Sequence, residues 1–82
     1  MNITKATTYT YTAAVGGDPS VKTNWSPALT SFTVAGTTYN ISKSVTMGAA
    51  WTVSGAGSKV AISTSGTTIS DGGFTFTSTG IT

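Results

Sequence analysis

Ser42-Lys43-Ser44 and Ser58-Lys59 set a hydroxyl beside an amine, the two groups that a Ser–Lys nucleophile would need. Both lie where small polar and apolar residues alternate, and neighbours on a strand point to opposite faces. The two groups therefore do not meet, and these lysines read as solvated charges that blunt strand edges. The chain has no histidine, cysteine, glutamate or arginine. Without histidine, no serine or threonine has the usual base to activate it, and the commonest metal ligand is missing. Asp18 and Asp71 are the only side-chain carboxylates. Each sits in a turn context, Gly17-Asp18-Pro19-Ser20 or Asp71-Gly72, where aspartate serves the local backbone. That pattern does not offer the paired carboxylates of general acid–base work or the clustered oxygens of a calcium site. Gly55-Ala56-Gly57-Ser58 has the glycines of a phosphate loop, but strand-like segments flank it and no helix follows. Lys5, Lys22, Lys43 and Lys59 are dispersed, so there is no basic patch for nucleic acid. The sequence predicts no catalytic, cofactor-binding or metal-binding residues, no cofactor, and no enzyme.

Binding chemistry has more candidates. Tyr9, Tyr11, Trp25, Tyr39 and Trp51 could stack on sugars if exposed. Alternation places Tyr9, Tyr11 and Trp51 in a core instead. Trp25, between Asn24 and Ser26-Pro27, either plugs one end of the core or offers a surface, and plugging is the commoner fate of such a residue. Asn2, Asn24 and Asn40 all begin Asn-x-Ser/Thr triplets. Chance accounts for this in so hydroxyl-rich a chain, and glycosylation would require secretion. Thr8-x-Thr10-x-Thr12 and Thr75-x-Thr77-x-Thr79 resemble the Thr-x-Thr arrays of ice-binding solenoids. Threonine is also the ordinary outward residue of a strand.

These residues have to be positioned by a single small domain. Eighty-two residues bury only about 60% of their unfolded surface, and such domains lean on disulfides, metals or partners. With no cysteine or histidine, self-association is the remaining support. Threonine and serine make up 30 of the 82 residues, while charged residues number six. Eight aromatics and a slightly positive mean hydropathy argue for a folded chain over a disordered one. No stretch approaches the roughly 20 apolar residues of a membrane span. The first residues lack the apolar run of a signal peptide, so Met1 as a native start predicts a protein that does not use that route.

Period-two alternation in short bursts makes the chain all-β. Within the domain, 1–15 is an N-terminal strand or arm, with a strand at about Thr7–Ala14. Residues 16–30 form a loop. Residues 31–82 are the regular β region, with strands at 31–35, 38–42, 44–47, 50–54, 58–63, 67–70 and 73–78. Tight glycine-rich turns between them predict antiparallel hairpins in a small sandwich or rolled sheet. The Asp71-Gly72 turn sets Ile69 opposite Phe74. The Gly55–Ser58 loop sets Val53 opposite Val60 and Trp51 opposite Ile62. The Gly36-Thr37 turn sets Val34 opposite Tyr39 and Phe32 opposite Ile41. Trp51, Val53, Val60, Ile62, Ile69, Phe74 and Phe76 are the expected core. The alternative is a short β-solenoid, since apolar bursts recur about every seven residues and would stack Phe32, Val53 and Phe74.

The low-charge Gly/Thr/Ser texture resembles the solenoid repeats of bacterial surface adhesins. Gly16-Gly17-Asp18-Pro19-Ser20-Val21-Lys22-Thr23-Asn24-Trp25-Ser26-Pro27 is similar to the Asp-Pro-x-Asn-Trp-Ser opening of some such regions, though Ser20 to Lys22 break the spacing and no second tryptophan follows soon. In size and texture the chain also resembles phage virion components: capsid decoration, minor capsid or fibre proteins. That likeness implies a virion location and a homo-oligomer, often a trimer, on a capsid or tail, with no nucleic acid or membrane span. An extracellular or cell-surface adhesin or matrix module that binds sugar is the alternative function.

Overall fold

The computed structural model describes residues 8–81. Eight short strands carry almost all of the regular structure: β1 (Thr8–Tyr11), β2 (Trp25–Ser26), β3 (Thr38–Ile41), β4 (Val45–Thr46), β5 (Trp51–Val53), β6 (Lys59–Ile62), β7 (Ile69–Ser70) and β8 (Phe76–Ser78). A single 3-10 turn at Lys22–Asn24 is the one helical element among the described residues. The chain is all-β, and its strands form several small sheets.

Among the described residues only β1 and β2 pair antiparallel; every other strand pair there is parallel. Thr38 of β3 pairs with Thr8 of β1 on one side and Lys59 of β6 on the other. Val45 of β4 pairs with Ile69 of β7, and Trp51 of β5 pairs with Phe76 of β8. Residues 38–53 and 59–78 thus lie alongside one another in the same direction, strand for strand. Residues 8–36 follow the same course. Gly16 donates its N–H to the Ser44 carbonyl at 2.7 Å, and Gly17 accepts from Thr46 at 3.0 Å. Phe32 accepts from Ser54 at 2.9 Å, and Gly36 donates to Ala56 at 2.9 Å.

The three expected hairpins are absent, although their turns form. Phe74 donates to the Asp71 carbonyl at 2.9 Å, and both Gly72 and Gly73 have positive φ. A Cβ on Gly72 would collide with the Met47 carbonyl oxygen, so only glycine fits at this corner. The flanking strands leave the corner to pair elsewhere. Ile69 faces Val45 rather than Phe74, Trp51 faces Phe76 rather than Ile62, and Val53 faces Ser78 rather than Val60. Tyr39 lies between Tyr9 and Val60, away from Val34, and Ile41 faces Ile62, away from Phe32. What differs is which side chains meet, since either pairing buries the same faces. Parallel register puts Trp51 on Phe76, with rings stacked 4.8 Å apart, and puts the large residues of successive strands into one interior. The segment 31–35 is not a strand, because Ser31 and Thr33 turn locally on one another: Thr33 N–H donates to Ser31 Oγ at 3.1 Å.

The interior contains Tyr11, Trp25, Leu29, Phe32, Tyr39, Ile41, Val45, Met47, Trp51, Val53 and Val60, with Tyr9, Ala13, Ile69 and Phe76 packed against it. Trp51, Val53 and Val60 are buried as expected. Ile62 and Phe74 are corrections, at 36% and 45% exposed, because no further strand lies over them among the described residues. Phe74 also takes no place in a column with Phe32 and Val53; its neighbour Phe76 supplies the inward ring.

Candidate functional site

Trp25 is the centre of the most elaborate part of the molecule. The segment between Gly17 and Phe32 leaves the path of the strands and folds over the outer edge of β1. Its two β2 residues pair there, Tyr11 with Trp25 and Thr10 with Ser26. The indole is 4% exposed and lies edge-on or tilted to Tyr11, Phe32, Tyr39 and Trp51, with ring centres 5.7–6.0 Å away. Its Nε1–H donates to the Pro19 carbonyl at 2.8 Å. The plug expected from the sequence is therefore present.

Asp18 holds the base of this segment. Its Oδ1 accepts from the Ser20 N–H at 2.9 Å and from the Ser20 hydroxyl at 2.7 Å. A Cβ on Gly48 would lie 2.7 Å from Asp18 Oδ2, so glycine lets the carboxylate come against the backbone there. Burial pushes the Asp18 pKa up, but hydrogen bonds from the Ser20 hydroxyl and the Ser20 and Gly48 amides outweigh it and hold the pKa below the ordinary carboxylate value. Burial raises the Tyr11 hydroxyl, and the Asp18 charge adds to that rise. Asn24 Nδ2 donates to the Asp18 carbonyl at 2.9 Å. Asp71 does similar local work, its Oδ1 accepting from Gly73 N–H at 3.0 Å. Both carboxylates serve turns, as their sequence contexts predict.

Beside the plug lies a groove of about 310 Å³, lined by Ser20, Lys22, Ser31, Phe32, Thr33, Ala50, Trp51 and Thr52. The Lys22 ammonium sits 5.9 Å above the Phe32 ring. One cation and several hydroxyls can hold a small polar molecule, and neither carboxylate of the chain lines the groove. These residues come from three separate stretches of chain. No local spacing marks them, which is why the sequence did not single out the groove.

The remaining candidates do not converge. The Ser58 hydroxyl is buried and donates to the Ser54 and Gly55 carbonyls at 3.0 and 2.8 Å, while Lys59 is exposed. Lys43 Nζ donates to the Ala13 carbonyl at 3.2 Å, and Ser44 Oγ accepts from Thr68 N–H. Neither Ser–Lys neighbour forms a pair. Among the described residues, no three His, Cys, Asp or Glu side chains gather, and no helix is long and apolar enough to cross a membrane. Tyr11, Trp25, Tyr39 and Trp51 are buried and Tyr9 is half-buried, so these rings do not form an open stacking platform. The threonine columns are short: Thr8 and Thr38 are followed by Lys59, and Thr10 is followed by Asn40 and Ala61. Lys5 and Asn2 lie outside the described residues. No family model, no curated protein and no solved structure matches the chain.

Proposed function

We infer that the chain is a non-enzymatic structural module: a short parallel β-solenoid, closed at one end by the Trp25 segment, that forms part of an assembled surface structure. The setting proposed is a virion, as a fibre or minor capsid component. The observation that carries this reading is the strand-for-strand parallel pairing of 38–53 with 59–78. A stack of this kind presents a hydroxyl-rich exterior and a continuous interior, which suits a stem or spacer. The dispersal of every serine, lysine and aspartate candidate supports a role without turnover.

One observation favours a second setting, the stem of a bacterial surface adhesin. The residues similar to the adhesin opening, Asp18, Pro19, Asn24 and Trp25, are the ones bonded together in the closing segment. Immunogold labelling of native particles and cells separates the two settings. Label on virions supports the first, label on the cell envelope supports the second, and label confined to the cytosol overturns both. The solenoid itself is tested by cross-linking. Thr52→Cys with Thr77→Cys should oxidise readily, because these outward residues are paired. A hairpin at Gly55–Ser58 would instead join cysteines at Thr52 and Ala61, and that result would overturn the stack.

A further inference from the structure

The groove beside the Trp25 plug follows a break in strand pairing. Trp51 donates its N–H to the Thr75 carbonyl at 3.0 Å, and Val53 accepts from Thr79 at 3.1 Å, so both turn their backbone groups to β8. Backbone groups alternate along a strand, and Thr52 therefore turns its N–H and carbonyl to the other side. That is the side where Phe32 accepts from Ser54. No strand pairs with β5 there among the described residues, because Ser31 and Thr33 turn on one another instead. Side chains add to this free edge. Lys22 brings an ammonium. The Thr33 N–H and one hydroxyl proton are spent within the Ser31–Thr33 pair, which leaves the other hydroxyl proton free to donate. The Ser20 hydroxyl gives its proton to Asp18, so its oxygen is left to accept. Trp51 is 1% exposed and its indole N–H has no acceptor among the described residues, an unmet donor in the groove wall. The Asp18 charge is already met by the Ser20 hydroxyl and by the Ser20 and Gly48 amides.

We propose that this groove binds one carboxylate-bearing sugar unit, a hexuronic acid. Lys22 and the Thr52 N–H meet the carboxylate, and hydrogen bonds that carry charge are the strong ones. The Thr52 carbonyl and the Ser20 oxygen accept from sugar hydroxyls, and the free proton of the Ser31–Thr33 pair donates to one. The volume of about 310 Å³ is at the small end of ligand sites and suits one ring rather than a chain of sugars. A neutral sugar leaves the ammonium without a partner. Sulfate has no hydroxyl to give the Thr52 carbonyl. An amino acid brings a second cation beside Lys22, with no carboxylate in the lining to hold it. This role is additional to that of a structural module and holds in either setting, so its failure would leave that reading intact.

Two-dimensional NMR of the isotope-labelled full chain, titrated with sodium glucuronate at constant ionic strength, reads binding residue by residue. Saturable shifts are expected at Lys22, Thr33, Thr52 and the Trp51 indole. The Trp25 indole should change little, because its N–H already has the Pro19 carbonyl. Lys22→Gln should weaken binding at least about tenfold, and Thr52→Val, which keeps a β-branched outward residue, about threefold. Lys59→Gln, at an exposed lysine outside the groove, should bind as the wild type does. The same spectra show whether each variant is folded. Methyl glucuronide separates two sources of the ligand. Equal binding assigns it to the end of a glycan and weaker binding to the free acid, and either result keeps the site. The proposal is overturned if millimolar glucuronate gives no saturable shift, if glucose or acetate binds as tightly, or if Lys22→Gln binds no more weakly than Lys59→Gln.

Discussion

The irregular loop at 17–32 and the regular strands at 59–81 lie at opposite ends of one interior; the loop closes its end and the strands leave theirs open. Trp25, Leu29 and Phe32 are all under 9% exposed, whereas Ile62, Phe74 and Ile81 are 36% or more. The loop has no alternation, contains both prolines of the chain, and is held by side chain-to-backbone bonds from Asn24 and Trp25. The strands have clean alternation and turn glycines at each corner. Alternation gives a residue a face, but a face becomes core only when another layer covers it. In this molecule the covering layer at one end is built from loop.

Truncating the plug is the strongest way to test that contrast. Trp25→Ala should cost about 3–5 kcal/mol, and since a domain has only about 5–15 kcal/mol in all, urea melts should show a chain near or past unfolding. If it costs no more than Phe74→Ala, the loop is not the seal. Gly72→Ala, at the open end, should cost about 1–3 kcal/mol through its positive φ and the Met47 carbonyl. A neutral result would mean that this corner can move freely. Asp18→Asn should cost about 1 kcal/mol by weakening charge-assisted hydrogen bonds to Ser20 and Gly48. The Asp18 pKa is depressed in the folded state, so its contribution is present above the ordinary carboxylate range near pH 4 and is lost as pH falls through the lower folded value. Thermal melts against pH should therefore lose part of their acid limb in Asp18→Asn; an unchanged limb would assign it elsewhere. Phe74→Ser should change monomer stability by about 0.5 kcal/mol or less, as exposed positions do. A large loss would show that the open end is already core.

The sequence made faces legible and left partners illegible. Trp51, Val53 and Val60 point inward as their alternation predicts, because period two sets direction whatever strand lies alongside. Antiparallel hairpins and parallel stacking bury the same faces, so alternation could not decide between them. The turn signals at Asp71-Gly72 and Gly55–Ser58 were real, since both turns close, yet a turn that closes does not oblige its flanks to pair. Trp25 could be read as a plug from its type and its isolation. Leu29, Val45 and Met47 were not singled out, because their burial depends on neighbours about twenty residues away or on the closing loop. The groove beside Lys22 escaped for the same reason, with its lining drawn from three stretches of chain.

The parallel register also governs how such a chain folds. The closest strand partners in sequence are Tyr11 and Trp25; Thr38 and Lys59 are 21 residues apart, and Val45 and Ile69 are 24 apart. No pair can zip from a tight turn, so each must first close a long loop, which places the chain among slow folders. The shortest closure belongs to β1 and β2, and these also precede the other strands in order of synthesis. The expectation is a templated order in which the Trp25 segment sets first and each later strand is laid on one already in place. Stopped-flow refolding of the single-tryptophan variants Trp25→Phe and Trp51→Phe, which keep a ring in each place, would test it: a Trp51 signal that settles before that of Trp25 would reverse the order.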